Sequence, residues 1–454
     1  MKTNKKTTAP IVLNNEGAPV RRIEAPEQLR RSVSNCLLWE DGFYESGEVI
    51  SERILKLVGE CDPGFVSSLA IHARSELNLR HVALYLVVCM VKWMIKVPAF
   101  KPLVAATLEM VIQRADEPAE FLALYWKDGR RPIPACVKTG LGNGMRKFNE
   151  YQLAKYNRDN DIKLRDVLRL CHPKPMHDGQ SDLWRRLIAG ELATPDTWEV
   201  QLSSGKDKQQ AWIDLLGGDK LGALALLRNL RNMTEVAVPE GLIRAKLLQV
   251  NTERVLPFRF ISAARHAPQF EPELEAAMLS NLSSLNKLPG KTGLVIDTSP
   301  SMWGTKVSAK SELDRFEAAA ALAIMLREIC DQVHIVAFNE KAYLIPPRRG
   351  FALRDALEKT KGGWSLGQLG VQAAQQAGCD RIIVLTDGEW QFAHVDPYMA
   401  RSAKPTEVCP NPGQGVRGYM INVAASANGV GYGPWVSIDG FSESVVRFVQ
   451  SVEA

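Results

Sequence analysis

Two apolar runs in the last third of the chain restrict its fold more than any other feature. Thr292–Asp297 (TGLVID) is an apolar run ending in an acid, and Arg381–Thr386 (RIIVLT) is a β-branched run with Asp387 directly behind it. Strands that alternate apolar and polar residues bury one face, whereas continuous apolar runs bury both, as in a parallel sheet covered on each side by helices. The intervening sequence agrees. Val333–Phe338 is β-branched, Gly418–Ala424 reads as a further strand, and Arg315–Cys330 is an alanine-rich amphipathic helix. Helical segments recur at Ala352–Lys359, Gly367–Ala377 and Ser442–Val452. Strands alternating with helices predict a Rossmann-like α/β domain with a mainly parallel sheet over 289–454, starting at the Pro289-Gly290 break. Ligands in such sheets sit beyond the carboxyl ends of the strands, where Asp297 and Asp387 stand.

The sequence before that break has a different pattern. From about residue 26 to 288, apolar residues recur at three- and four-residue spacing in Val49–Gly59, Pro63–Leu77, Pro102–Arg114, Lys163–Cys171, Ser181–Ile188, Trp198–Leu202 and Gly222–Leu230. Breaks such as Cys61-Asp62-Pro63-Gly64 and Lys127-Asp128-Gly129 separate them, and no convincing strand is present. Many short amphipathic helices in series predict stacked helical pairs, an α-solenoid. Residues 1–25, with Lys2, Lys5, Lys6, Arg21 and Arg22, read as a mobile polar tail. At 454 residues the chain is too long for one ordinary core, so two domains are in keeping with its length.

A membrane span requires roughly 18 uninterrupted apolar residues, and the best stretch, Val82–Ile95, is short and broken by Lys92. The polar start (MKTNKKTTAP) lacks the apolar stretch of a secretory signal, and the eight cysteines form no CxxC pair. These features predict a cytoplasmic protein with buried free thiols. Net charge is +5 overall, made up of +6 over 1–290 and −1 over 291–454. That modest excess permits a nucleic-acid partner in the first part without demanding one.

Asp297-Thr298-Ser299-Pro300-Ser301 follows the first strand directly. A tight turn there would aim one carboxylate and two hydroxyls at a common point, and Asp387 would add a second carboxylate from the end of another strand. Hard oxygen donors of this kind suit Mg²⁺, or another divalent cation such as Mn²⁺ or Ca²⁺. The competing interpretation is a strand-to-helix turn with an N-capping serine. The second acid, in the correct order, favours the metal.

Asp-x-Ser-x-Ser after one strand and Thr-Asp-Gly after a later one resemble the metal-ion-dependent adhesion site of von Willebrand factor A domains. The resemblance implies ligation by Asp297, Ser299, Ser301 and Asp387, with an open position that accepts an acid from a partner protein. That family also supplies a threonine after paired glycines. Here Gly362-Gly363 is followed by Trp364, and Ser365 stands one residue later as a substitute.

Five segments of the helical part resemble the TROVE module of the Ro autoantigen family: Glu40–Tyr44 (EDGFY), Gly144–Phe148 (GMRKF), Lys163–Pro175 (KLRDVLRLCHPKP), Gly222–Thr234 (GALALLRNLRNMT) and Val255–Ala267 (VLPFRFISAARHA). Their order, with the A domain after them, matches that family along nearly the whole chain. The resemblance implies a ring of HEAT-like helical repeats closed by the A domain. It further implies a monomer that binds Y-like small non-coding RNAs outside, accepts single-stranded 3′ ends of misfolded RNAs in its cavity, and offers a protein partner such as a nuclease the A domain. By the same pattern His172 and Lys155 fall on the small-RNA surface, and Arg146 and Lys147 near the cavity. Arg158 stands beside Asp159, where the family often has a basic residue.

The local chemistry is compatible. Residues 144–175 carry Arg146, Lys147, Lys155, Arg158, Lys163, Arg165, Arg169 and Lys174 against four acids, with Tyr151, Tyr156 and His172 interleaved. Cations neutralise phosphates and aromatic rings stack on unpaired bases. The plainer interpretation is a solvated basic face, with His172 serving only a helix C-terminus. Gly290-Lys291-Thr292 is not a phosphate loop, since Leu285 stands where the first glycine is needed. No nucleophile constellation is present. The expected function is a non-enzymatic RNA-binding protein, the alternative a metal-dependent protein-interaction scaffold.

Overall fold

A computed structural model describes residues 11–36, 38, 45–203, 205–252, 255–280, 286–304, 314–392, 403–442 and 444–453. The segment Glu40–Tyr44 and residues 1–10 of the expected tail lie outside these. The chain divides into two compact units. One comprises the described residues of Met1–Asn35, Trp39–Ile50 and Leu282–Ala454, and the other those of Cys36–Leu38 and Ser51–Asn281.

The first unit is built on a six-stranded sheet. Its strands are β3 (Leu288–Asp297), β4 (Cys330–Phe338), β5 (Ala342–Ile345), β6 (Arg381–Thr386), β7 (Arg417–Asn422) and β8 (Val436–Asp439), in the order β5-β4-β3-β6-β7-β8. All neighbours are parallel except β4 and β5, an edge hairpin too short and exposed to have shown a pattern in the sequence. Every residue of β6 is buried, as its unbroken apolar run requires. The chain enters the sheet at its centre and builds outward on both sides, so the switch in strand order falls between β3 and β6.

The helix α18 (Arg315–Ile329) follows α17 (Pro300–Trp303), and thirteen of its fifteen residues are buried. The side chain of Asp314 caps it by accepting from the Glu317 N–H at 3.0 Å. The alanine-rich surface that read as amphipathic is in fact enclosed almost all round, because small side chains let it lie close to its neighbours.

Residues 11–25 are not a mobile tail. Val12–Leu13 (β1) and Pro19–Val20 (β2) pair as an antiparallel hairpin, and Ala25–Ser34 forms helix α1. Ala18 and Val20 join a core cluster with Val384, Met420 and Trp390. The polar residues of this segment obscured a few apolar ones, and burying those with the sheet is what orders it. Helix α1, expected within the helical domain, therefore belongs with the sheet.

Among its described residues the second unit has helices and no strand. Its helices include α2 (Gly47–Val58, entering from Ser51), α3 (Pro63–Ser75), α4 (His81–Trp93), α5 (Lys101–Val111), α6 (Glu117–Tyr125), α7 (Ala135–Met145), α8 (Glu150–Tyr156), α9 (Leu164–Cys171), α10 (Asp178–Ala189), α11 (Trp198–Ser203), α12 (Lys208–Gly217), α13 (Ala223–Glu235), α14 (Glu240–Gln249), α15 (Phe258–His266) and α16 (Glu271–Leu279). Helices pack on the next and next-but-one neighbour: α3 on α4 and α5, α5 on α7, α7 on α9, α12 on α14, α13 on α15 and α14 on α16. That is the stacked-pair pattern expected for this part of the chain. At Gly140 an added Cβ would lie 2.9 Å from the Ala105 carbonyl, so glycine is what lets α7 approach α5. The apolar stretch at 82–91 is the buried helix α4, and no helix among the described residues is long and apolar enough to cross a membrane.

The helix Ser444–Glu453 is tied to the sheet through one carboxylate. Glu453 pairs with Arg381, accepts from Arg417 at 2.7 Å and from the Tyr419 hydroxyl at 2.8 Å, while Arg381 also donates to Thr292 Oγ1 at 2.8 Å. The Arg381 and Glu453 side chains are only 4% and 2% exposed. Glu453→Gln leaves the guanidinium without its counter-charge, which costs about 3 kcal/mol in a buried pair. The expected result is a clear fall in the melting temperature of the sheet unit, and an unchanged melting curve would contradict this account.

Candidate metal centre and nucleic-acid surface

The β3 strand delivers Asp297 to the carboxyl end of the sheet. The next residue turns away, with Thr298 donating from both N–H and Oγ1 to the Phe338 carbonyl at 2.9 and 3.0 Å. Ser299 then occupies the N-cap position of α17, yet its side chain makes no capping bond. Its Oγ instead lies 3.3 Å from Ser301 Oγ, and its N–H donates to Asp297 Oδ1 at 3.0 Å. The hydroxyl is thus not used as a cap and faces the cluster.

Asp297 Oδ2 accepts from Thr386 Oγ1 at 2.6 Å and from Ser365 Oγ at 3.3 Å. Thr386 in turn receives the Gly388 N–H at 3.0 Å and the Trp390 indole N–H at 2.9 Å. A hydroxyl has one proton, and with two donors aimed at its oxygen Thr386 gives that proton to Asp297. Asp387 accepts from the Glu389 N–H at 3.0 Å and from the Ser301 side chain.

Ser365 therefore joins the site and Trp364 does not. Gly363 has φ +64, and a Cβ there would meet Glu340, so this glycine turns the chain to present Ser365 inward. Ser365 is buried while Trp364 is 53% exposed. Asp297, Ser299, Ser301, Ser365 and Asp387 are all buried in one place.

The electrostatics are those of an anionic pocket. Burial, with the charge of Asp387 added, pushes the Asp297 carboxyl up to about 7. Burial likewise raises Asp387, against the opposing pull of Ser301, Arg315 and Arg31. Among the described residues neither makes an ion pair. Glu389, two residues on, is pushed up to about 8 by burial and by Asp387. Two carboxylates and three hydroxyls drawn from water, with only the coulombic pull of Arg315 and Arg31 on Asp387 to offset the charge, are a donor set that fits a hard divalent ion. No three His, Cys, Asp or Glu gather in ligating positions among the described residues, so such an ion would depend on the serines and on water.

In the helical unit the predicted cations fare differently from one another. Lys147 Nζ donates to the Ile112 carbonyl at 3.1 Å and to the Glu109 carbonyl, neutralising the end of α5. Arg146 Nε donates to the Lys174 carbonyl at 2.9 Å and its Nη1 to Asn143 at 2.9 Å, bracing the ends of α7 and α9. His172 closes α9 in the left-handed region (φ 47) with its side chain exposed, so its backbone does serve the helix end. Lys174 and Arg158 are exposed, and Asp159 pairs with Lys163.

Lys155 is the predicted cation set among aromatic rings. Its ammonium lies 5.9 Å from the Tyr151 ring and 5.7 Å from that of Tyr156, and Arg114 stacks over Tyr156 at 4.7 Å. Lys155 also lines a cavity of about 510 Å³ with Trp198, Lys220, Leu224 and Asn251. Trp198 stacks on the buried Trp212 at 6.1 Å. Sequence reasoning placed Trp198 on a helix and gave it no role. Its exposure in a cavity depends on which neighbours surround it, which spacing does not encode.

The TROVE domain family model matches residues 28–189 and 179–330. Telomerase protein component 1 of Rattus norvegicus is 22% identical, over 49% of this chain and 12% of that protein. Its Mus musculus counterpart is 21% identical over the same shares. The chain thus spans a small part of these curated relatives. The crystal structure of the Deinococcus radiodurans RO (RSR) protein superposes with a TM-score of 0.58 at 18% identity, covering 95% of this chain and 100% of that one. This is a likeness of fold.

The raised Asp297 carboxyl makes the metal-free protein pH-sensitive in a definite direction. Its folded value exceeds the unfolded value of about 3.9, so the native state holds a proton that the unfolded chain has released. Stability contributed by this group is therefore present below about pH 4 and is lost as pH rises to about 7. Asp297→Asn should flatten that decline. Added Mg²⁺ or Mn²⁺ should raise the melting temperature of the full chain at pH 8 and less at pH 5.5, where the ion competes with the proton. At about a hundred times its Kd the ion contributes ~2.7 kcal/mol, and Asp297→Asn should abolish the gain. An equal gain in that variant would rule the site out.

Proposed function

The chain belongs to the TROVE domain family, and from that premise we propose that it is an RNA-binding protein without catalytic chemistry of its own. Structured Y-like small RNAs are its outer ligands, and single-stranded 3′ ends of misfolded RNAs its inner ones, in small-RNA metabolism or RNA quality control in the cytoplasm. The observation that carries this is the setting of Lys155. Its ammonium sits beside two tyrosine rings and lines a cavity that also holds Trp198 and Lys220. Single-stranded RNA needs that combination, cations for phosphates and aromatic faces for bases, with stacking worth roughly 1–3 kcal/mol per base.

The second ligand in this proposal is Mg²⁺, or Mn²⁺ or Ca²⁺, held by Asp297, Ser299, Ser301, Ser365 and Asp387. The two buried carboxylates, neither in an ion pair among the described residues, support it. One ion among serines acts as a clamp for an acidic group rather than as a hydrolytic centre, so a protein partner such as a nuclease docks there. The same cluster favours the alternative, a metal-dependent protein scaffold with no RNA ligand.

Filter binding of the full-length chain to a structured RNA with a single-stranded 3′ tail tests the first proposal. Binding should be micromolar or tighter and should weaken steeply between 50 and 200 mM salt, as phosphate contacts require (roughly 0.7–0.9 in log K per contact per decade of salt). Combined Lys155→Ala and His172→Ala substitution should weaken it by about tenfold. No retention at low salt, together with a protein-only, Mg²⁺-dependent pull-down, would favour the scaffold and end the RNA reading.

A further inference from the structure

The hairpin and helix at residues 11–34 hold the loop that carries Asp387. Asn14 Nδ2 donates to the Trp390 carbonyl at 2.8 Å. The Asn15 N–H and Nδ2 donate to the two oxygens of Glu389 at 2.7 and 3.1 Å. Arg31 Nη2 donates to the Asp387 carbonyl and Nε to the Ser426 carbonyl, each at 2.9 Å. Four consecutive loop residues, 387 to 390, therefore lie under this segment, three of them bonded to it directly.

The arginine is fitted between two glycines. A Cβ at Gly388 would lie 2.6 Å from Arg31 Nη2, and one at Gly429 would overlap the same guanidinium. Arg31 is 1% exposed and makes no ion pair within 4 Å among the described residues, although Tyr432, Asp439 and Glu389 lie close enough to favour its charge. A guanidinium buried this way is costly unless its bonds accomplish something, and hydrophobic replacements often stabilise more. What these bonds do is fix a backbone: Arg31 spans two loops and holds the peptide of the residue whose side chain faces Asp297.

We propose that residues 11–34 are a strap that sets the affinity of the divalent site, with Arg31 as its positioning residue. The inference rests on the metal reading given above. Arg31 touches no ion; it acts through the backbone of Asp387. Partners of this outer kind orient metal ligands, and removing them typically weakens metal binding 10–100-fold.

The test is Mn²⁺ titration of the full-length chain followed by electron paramagnetic resonance, with thermal melts of each variant without metal. Asp297→Asn serves as the control for the site. Arg31→Lys keeps the charge but replaces the rigid guanidinium, whose separate Nε and Nη2 reach the two carbonyls, with one compact ammonium, and should weaken Mn²⁺ 10–100-fold. Asn14→Ala with Asn15→Ala leaves Arg31 in place and should weaken it severalfold, and it carries the test alone if Arg31→Lys does not fold. Arg381→Lys damages the buried pair with Glu453 at the far end of β6 and should lower the melting temperature while leaving Mn²⁺ affinity within twofold. If Arg31→Lys and the double asparagine variant bind as tightly as wild type while Asp297→Asn does not bind, the site stands and the strap is overturned. If Arg381→Lys weakens Mn²⁺ as much as Arg31→Lys, the effect is general destabilisation and the strap is again overturned. If the wild-type chain binds no Mn²⁺, the metal reading fails and takes this inference with it.

Discussion

Two carboxylates withdrawn from water side by side, at the ends of β3 and β6, are the constraint from which the sheet unit takes its form. Each ionised carboxylate loses several kcal/mol of hydration on burial, and their mutual repulsion adds to that. Such a pair persists only where the surrounding scaffold dictates its position. The parallel register supplies the first part: Ile296 pairs with Leu385, so Asp297 and Thr386 emerge together where the strand order switches. The hydroxyls of Ser365 and Thr386 then meet Asp297, while the Ser301 side chain serves Asp387.

The constraint reaches outward through Thr386. Its proton is committed to Asp297 because the Trp390 indole and the Gly388 amide occupy its lone pairs. Trp390 is fixed in turn, edge-on to Phe338 with centroids 5.4 Å apart, and Gly367 has no room for a side chain against it. The polar site and the apolar core are thus one structure. A change in the core packing around Trp390 moves a hydrogen bond in the site, and the hairpin that carries Ala18 and Val20 into that core also brings Asn14 and Asn15 onto the loop.

What could be seen in the sequence follows from the range of the interactions. Strand β6 was legible to the residue, because a strand buried on both faces has an unbroken apolar run whatever lies beside it. Asp297, Ser299 and Ser301 could be placed together because alternate positions of one tight turn share a direction, and Asp387 because it ends a second continuous apolar run. The N-terminal segment was not: Arg31 meets Asp387 across 356 positions, and a basic residue near a polar start has no local sign of burial. Ser365 was offered from the sequence as the substitute one residue after Trp364, but what turns it inward, the left-handed Gly363, has no signature in spacing. Edge strands β5 and β8 are four residues each, too short to establish a period.

The helical unit obeys the opposite economy, and this bears on how it would meet RNA. Its charge excess counts every lysine and arginine alike, but the structure separates them. Lys147 is committed to carbonyls at the end of α5, and Arg146 to Lys174 and Asn143, so neither is free to meet a phosphate without loosening a helix end. The side chains of the 144–175 stretch that remain are Lys155, Arg158, Arg165, Arg169, His172 and Lys174, half-buried or exposed, with Tyr151, Tyr156 and Trp198 as the aromatic surfaces. A duplex offers these side chains little but phosphates and hydroxyls, whereas unpaired bases also offer ring faces. On the RNA-binding reading, affinity draws on stacking as well as on phosphates, and only unpaired bases provide the stacking. Under that proposal the tyrosine rings beside Lys155, more than the net charge, are the surfaces an unpaired base would use.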